Sequence, residues 1–427
     1  MEHRRAAVDA LASLGSELEA RYAEFKARGL KLDMTRGKPS PEQLDLADAL
    51  LDRPRRGIGA LDGTDGRNYG GLDGLPEMKE LFSPILDAPP EQIIIGGNSS
   101  LQMMHDAVVR ALTHGVPGGA GPWGRLPSIR FLCPVPGYDR HFAICQHFGI
   151  EMLPIEFGED GPDMGRVEEL VLSDPSIVAM WCVPKYSNPT GITYSDRVVE
   201  RLARMPAAAP DFRLLWDNAY AVHDLYSEGD RLADIISACR RAGHENRPLA
   251  FASTSKITFA GAGVAALASS PANVADAKRH LSIQTIGPDK VNQLRHVDLF
   301  GNFAGIRRHM HRHAEILRPK FEAVAAVFER ELGGKGIASW TAPRGGYFIS
   351  LDTLDGCASQ VVALAEAAGV KLTAAGATFP RGHDPRDRNI RIAPSLPPVD
   401  QIRSAMEVVS VCVALATLQR LGGEAHG

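Results

Sequence analysis

Ile93-Ile94-Ile95-Gly96-Gly97-Asn98-Ser99-Ser100-Leu101 sets an uninterrupted apolar run against a turn rich in glycine and serine, and a helical pattern follows with Leu101, Met104, Val108 and Leu112 on one face. An apolar run without alternation suits a strand covered on both faces. The theme recurs: Arg130 to Cys133 precedes Pro136-Gly137-Tyr138, and further strand candidates lie at 177–183, 212–216 and 249–252. Such strands alternating with helices predict an α/β fold around a mostly parallel sheet. In sheets of that kind, ligands bind beyond the carboxyl ends of the strands.

The flanking sequence follows other patterns. Residues 6–28 carry Val8, Leu11, Leu14, Leu18, Tyr22 and Phe25 at the period of an amphipathic helix. Thr35 through Tyr69-Gly70-Gly71 is polar and rich in turn residues, which predicts loops rather than core. Segment 115–128, rich in glycine and proline, reads as an irregular surface connection with no chemical role. Beyond residue 300 the pattern changes to a long helix over 303–333 and an antiparallel pair, Ile337–Trp340 with Tyr347–Leu351, around Ala342-Pro343-Arg344-Gly345-Gly346. A strand at Asn389–Ala393 and a helix over 399–421 complete a smaller α+β domain. The predicted organisation is a segment at 1–60 that contributes to the small domain, a large domain at 61–300, and the small domain proper at 301–427.

Composition narrows the function. The 427 residues are 44% hydrophobic, enough for a large core, and 47 Lys plus Arg against 51 Asp plus Glu leave a net charge of −4. There is no basic field for nucleic acid. Cys133, Cys145, Cys182, Cys239, Cys357 and Cys412 are scattered and form no CxxC or Cys/His cluster, so neither a metal site nor a disulfide framework is expected, and a reducing, cytoplasmic location fits. The N-terminus, MEHRRAAVDALASLG, has no long apolar region, and no uninterrupted run of about eighteen apolar residues occurs, so membrane association and secretion are not expected.

Chemically capable residues cluster just after the predicted strands: Ser99 and Ser100, Tyr138, Asn188, Asp217 with Tyr220, and Ser253-Thr254-Ser255-Lys256. Each has a plain alternative, since Ser, Asn and Asp after a strand serve as turn formers or helix caps and an isolated lysine is usually a surface residue. A doubly wound sheet would bring the whole set to one rim. There Lys256 supplies an amine able to condense with an aldehyde and to carry a proton.

Tyr69-Gly70-Gly71, Ser187-Asn188-Pro189-Thr190-Gly191, Asp217-Asn218-Ala219-Tyr220, Ser253-Thr254-Ser255-Lys256 and Arg391, in that order, resemble the signature of class I/II aminotransferases of fold type I. Met34-Thr35-Arg36-Gly37-Lys38-Pro39, Cys133 to His141 and Lys185 to Gly191 are similar, within that family, to an atypical bacterial aspartate aminotransferase subgroup. The resemblance implies pyridoxal 5′-phosphate held on Lys256. It implies that Asp217 pairs with the protonated ring nitrogen, that Asn188 and Tyr220 donate to the ring oxygen, and that Tyr138 lies on the ring face. Ser99, Ser100, Ser253 and Ser255 would hold the phosphate, helped by helix-start amides, and Tyr69 would reach a partner's phosphate across a homodimer interface. Arg391 would clamp the substrate α-carboxylate, with Arg36, Gly37 and Asn188 as further substrate contacts. The implied reaction is ping-pong transfer between L-aspartate and 2-oxoglutarate, amino acid and 2-oxo acid being the partners.

One position departs from the pattern. Many relatives carry an arginine eight residues after the lysine, where this chain has Val264, so the phosphate site must be built differently. A second carboxylate on the substrate needs a second cation, and Arg36, Arg140, Lys185 and Lys290 are the candidates. Three alternatives stay open: alanine or aromatic amino acids as substrates, a β-lyase or decarboxylase using the same cofactor, and a ligand-sensing regulator of the same fold. The regulator is disfavoured because only 35 residues precede Arg36, too few for a DNA-binding domain beside the predicted helix.

Overall fold

The computed structural model describes residues 2–55 and 57–424, with side chains from 15 to 422 apart from residue 56. In chain order the strands are β1 (Leu32–Asp33), β2 (Ile93–Ile95), β3 (Arg130–Val135), β4 (Glu151–Gly158), β5 (Gly161–Pro162), β6 (Ile177–Cys182), β7 (Arg213–Asp217), β8 (Pro248–Ser253), β9 (Ala265–Ala268), β10 (Ala338–Trp340), β11 (Ile349–Thr353), β12 (Val370–Lys371) and β13 (Asn389–Ile392). Eight of them form the main sheet in the order β2-β9-β8-β7-β6-β3-β4-β5. The run β8-β7-β6-β3-β4 is parallel throughout, whereas β9 is antiparallel to both of its neighbours and β5 to β4.

Burial explains why these stretches are strands: every residue of β2, β6, β7 and β9 is buried. The chain passes from β3 outward to β4 and then returns to the other side of β3 with β6. Strand order therefore reverses beside β3. The crevice at the carboxyl ends of β3 and β6 is the switch point where doubly wound sheets take ligands. Strands β4 and β9 are absent from the sequence-based expectation for physical reasons. Strand β4 is largely uncovered and contains Pro154, and the Ala-Ala-Leu-Ala of β9 carries little strand preference.

A second sheet, β10-β11-β13, is antiparallel and sets Ser350 opposite Arg391. Strand β1 pairs in parallel with β12, which ties the residues after the first helix, Glu2–Ala27, to this smaller body. Leu18 and Phe25 of that helix are buried, while the side chains of Val8, Leu11 and Leu14 lie outside the described residues. The polar stretch after it is mostly loop with a short helix at Pro41–Asp45, yet Met34, Ser40 and Gln43 are buried. The last helix, Val399–Glu424, has a mean hydropathy of 1.4 in its most apolar part, and 67% of that window is buried in the fold. Ile402, Met406, Val409 and Val413, all with no measurable exposure, account for its apolar character as core.

The buried apolar residues divide into two clusters, one around the main sheet and one around the smaller sheet and last helix. The long helix Phe303–Leu332 joins them: Ile306 and Met310 pack in the first, Leu317 to Leu332 in the second. Val183, Tyr186 and Tyr220, which follow main-sheet strands, also pack in the second cluster. The seam between the clusters thus passes the carboxyl rim of the sheet.

Candidate active site

Asp217 is the last residue of β7, registered against Phe251 of β8, so a fully buried strand delivers its carboxylate to the rim. Its Oδ2 lies 3.0 Å from His141 Nε2. His141 belongs to the helix Asp139–His147 and stacks on Trp181 with ring centroids 4.3 Å apart at 8°. The imidazole is thereby locked in place, whereas Oδ1 of Asp217 is buried without a partner. A buried acceptor left unpaired costs roughly 1–3 kcal/mol. A donor entering from the cavity would relieve it.

Strand β8 ends at Ser253, and Thr254-Ser255-Lys256 turn away before β9 begins at Ala265. The turn is tied by Thr254 N–H to Val264 O at 2.8 Å and by Val264 N–H to Thr254 Oγ1 at 2.8 Å. Val264 is buried at 2% exposure and builds core rather than an anion contact. Lys256 Nζ lies 5.0 Å from the centre of the Tyr220 ring. Burial pushes its ammonium pKa below the ordinary lysine value, against the opposing pull of the Asp217 carboxylate, which favours the neutral, nucleophilic amine.

These groups surround one cavity of about 210 Å³, walled by Gly37, Ser99, Ser100, Leu101, Met104, Tyr138, Val183, Asn188, Asp217, Ala219, Tyr220, Ser253, Ser255, Lys256 and Phe348. Ser99 caps the helix Ser100–His114, accepting from Gln102 N–H at 3.4 Å, and that helix start faces the cavity with the amides an anion would use. Ser253 and Ser255 are joined at 3.2 Å, and Ser255 Oγ donates to Asn98 O at 2.8 Å. Burial first, then Tyr138 and Asp217, push the Tyr220 phenol far up. Burial, Asp217 and Asp139 push Tyr138 up to about 12. Both hydroxyls therefore stay protonated and can donate. Gly37 has no room for a side chain, because a Cβ there would overlap the Phe348 ring.

Asn188 is buried, with its Oδ1 unpaired. Nearby Tyr186 adopts φ +48°, a left-handed conformation costly for a bulky residue, and anchors itself by donating to Asp224 Oδ1 at 2.7 Å and accepting Asp230 N–H at 2.8 Å. Gly345 of the smaller body lies flat on the Tyr186 ring, where any Cβ would collide. Arg391 approaches from β13: its guanidinium is 4.9 Å from the Phe348 ring centre, Nη1 donates to Asp139 Oδ1 at 3.1 Å, and Nε is buried and unpaired.

A family model described as aspartate amino-transferase matches residues 6–425. The aspartate aminotransferase of Corynebacterium glutamicum is 48% identical over 94% of this chain and 93% of that protein. This chain belongs to that family. It is accordingly an aminotransferase, acting on amino and 2-oxo acids. A solved aspartate transaminase from C. glutamicum superposes with a TM-score of 0.94 at 47% identity, covering 96% of this chain and 97% of that one. LysN, an α-aminoadipate aminotransferase from Thermus thermophilus, is 19% identical and shares the fold with a TM-score of 0.72 over 94% and 95% of the two chains.

The structure gathers Ser99, Ser100, Tyr138, Asn188, Asp217, Tyr220, Ser253, Ser255, Lys256 and Gly37 around the cavity, with Arg391 over the ring of Phe348, which also lines it. Tyr69 and Arg36 stand apart. Tyr69 is 80% exposed, on a surface with Arg67, Gly70 and Lys290. Arg36 is exposed, with its Nε 3.7 Å from Asp33 Oδ2. A loop arginine beside an aspartate finds its charge partner locally. Of the other candidates for a second carboxylate, Lys185 is held by Asp224 at 2.8 Å and Ala221 O at 3.0 Å, Lys290 donates to Gly70 O at 2.8 Å, and Arg140 is exposed. His141, Asp139 and Tyr186 are the residues that sequence reasoning left without a role. Only the position of His141 one helical turn after Tyr138 hints at a shared face.

Proposed function

We propose that this aminotransferase uses pyridoxal 5′-phosphate to exchange the amino group between L-aspartate and 2-oxoglutarate. The observation that carries the cofactor is the pairing of a buried, unsatisfied Asp217 Oδ1 with a half-buried lysine amine across one cavity. A protonated ring nitrogen would satisfy the first and an aldehyde the second. When bound, the cofactor supplies an electron sink for the electrons released as the amino acid loses its Cα proton. Asp217, braced by His141, holds the ring nitrogen's proton. Tyr220 and Asn188 donate to the ring oxygen, Tyr138 covers a ring face, and Ser99, Ser100, Ser253 and Ser255 bind the phosphate. Lys256 anchors the cofactor and, when free, moves the Cα proton. Arg391 binds the α-carboxylate.

The aspartate preference rests on the 48% identity to the C. glutamicum aspartate aminotransferase. A homodimer fits the exposed Tyr69, whose hydroxyl would complete the partner's phosphate site, and a cytoplasmic location fits the six buried cysteines, scattered along the chain without a disulfide framework. Purified protein is assayed for kcat/KM with aspartate, alanine and phenylalanine, each with 2-oxoglutarate. Aspartate should lead by at least about tenfold, the worth of one partly exposed charge-assisted contact. A lead for alanine or phenylalanine removes the aspartate assignment. Product formation that does not need the oxo acid points to a lyase.

A further inference from the structure

Behind Lys256, away from the cavity, lies a buried polar network that no step above uses. The Lys256 carbonyl faces two donors, His223 Nε2 at 3.3 Å and Tyr347 Oη at 3.3 Å. The next carbonyl, Ile257 O, is 2.7 Å from His309 Nε2, with His313 Nε2 3.0 Å from that same nitrogen. Gln43 closes the network: its Oε1 accepts Ser40 N–H at 3.1 Å, and its Nε2 reaches His313 Nδ1 at 2.9 Å and Tyr347 Oη at 3.0 Å. Gln43, His313 and Tyr347 have no measurable exposure, and His223 has 3%.

Donor and acceptor chemistry fixes the direction of the bonds that meet at Gln43, Tyr347 and the Lys256 carbonyl. Because the Gln43 oxygen accepts the Ser40 amide, its NH₂ must donate both ways. Tyr347 Oη therefore accepts from Gln43 and turns its own proton to the Lys256 carbonyl. His223, kept neutral by burial, must carry its proton on Nε2, since a carbonyl offers only lone pairs. Both lone pairs of one carbonyl are thus filled by groups from different parts of the chain. One is the segment after β7, and the other precedes β11 in the smaller body.

We propose that His223 and Tyr347, with Gln43 orienting Tyr347, are positioning residues for Lys256. By clamping its peptide they fix the point from which the side chain rises, and so where Nζ sits between Asp217 and Tyr220. The consequence is mechanical: a lysine that must reach two places in a catalytic cycle needs an immobile base, and displacements of about 1 Å can cost up to about a hundredfold in rate. The same bonds link the smaller body to the lysine. The inference rests on the role given to Lys256 above.

The test uses Tyr347→Phe, which removes one hydroxyl, His223→Ala, and His223→Gln, whose amide nitrogen can replace Nε2. In each, kcat and KM for aspartate are measured on the cofactor-loaded enzyme, and acetic anhydride labelling of Lys256 on the cofactor-free protein, with unfolding midpoints as a control. Tyr347→Phe and His223→Ala should lower kcat about tenfold or more, leave KM within about twofold and change the Lys256 labelling rate, and His223→Gln should recover most of each. Unchanged kcat and unchanged labelling in folded Tyr347→Phe overturn the inference, as does a change confined to KM. If the wild-type protein shows no transfer at all, the assigned function fails instead, while the labelling still reports on Lys256.

Discussion

The rim around Lys256 and the surface around Tyr69 are both polar, yet they are built in opposite ways. At the rim, Asp217, Asn188 and Tyr220 are 2–3% exposed, strands and helices fix their positions, and unpaired atoms face a shared space. At the other surface, Tyr69 is 80% exposed beside Arg67, Gly70 and the Gly287–Lys290 turn, and neighbouring Ile286 is 61% exposed. The main sheet assembles most of this chemistry by bringing strand ends together, and the smaller body of the same chain adds Phe348 and Arg391. An aromatic and an isoleucine held in water on a polar loop gain their free energy only when something covers them. The contrast separates what one chain accomplishes from what a second copy would add.

The rim should be fragile to single atoms. Replacing Asp217 by Ala should leave a folded protein that still takes up pyridoxal phosphate, with turnover reduced about a hundredfold or more, because the ring nitrogen loses the carboxylate that keeps it protonated. Near-normal turnover would remove Asp217 from the chemistry. The Tyr69 surface should show a smaller loss of a different kind: Tyr69→Ala should weaken cofactor binding about tenfold, the worth of one charge-assisted hydrogen bond, with kcat at saturating cofactor little changed. Mixing Tyr69→Ala with Lys256→Ala protein sharpens this, since in the proposed homodimer a mixed pair would carry one site with both residues intact. Recovery of tight binding and turnover is expected. Failure to recover, with mixed dimers formed, would place Tyr69 in its own chain's site and erase the contrast.

The smallest effect is a titration. Burial depresses the Lys256 pKa and Asp217 partly restores it, so in the cofactor-free protein the labelling midpoint of Lys256 should lie below that of exposed lysines, and Asp217→Ala should lower it further. The sign follows from charge: removing a nearby anion destabilises the ammonium form. A midpoint that rises in the variant would show that the carboxylate does not act on Nζ.

Much of this was legible from the sequence because buried parallel strands leave apolar runs, and chemistry in such sheets sits where those runs stop. Ile93–Ile95 and residues 177–183, 212–216 and 249–252 mark four strands within a residue or two, and Asn188, Asp217 and Lys256 follow three of them. The half-covered β4 and the alanine-rich β9 left no such trace. Roles carried by long-range contacts were equally silent. His141 meets Asp217 across 76 positions and Gln43 meets His313 across 270, and neither has a local pattern that announces its partner. Gln43 lies in a stretch that reads as solvated loop, yet it is wholly buried. Arg36 has a local partner that its sequence does show, Asp33 three residues before it.

The most direct test of the central claim asks where the cofactor is attached. Purified protein loaded with pyridoxal phosphate is reduced with borohydride, digested and mapped by mass spectrometry. The expected result is a single pyridoxyl-modified peptide labelled on Lys256, with no label and no turnover in Lys256→Ala. Stoichiometric label on another lysine, or transfer activity surviving in Lys256→Ala, would contradict it.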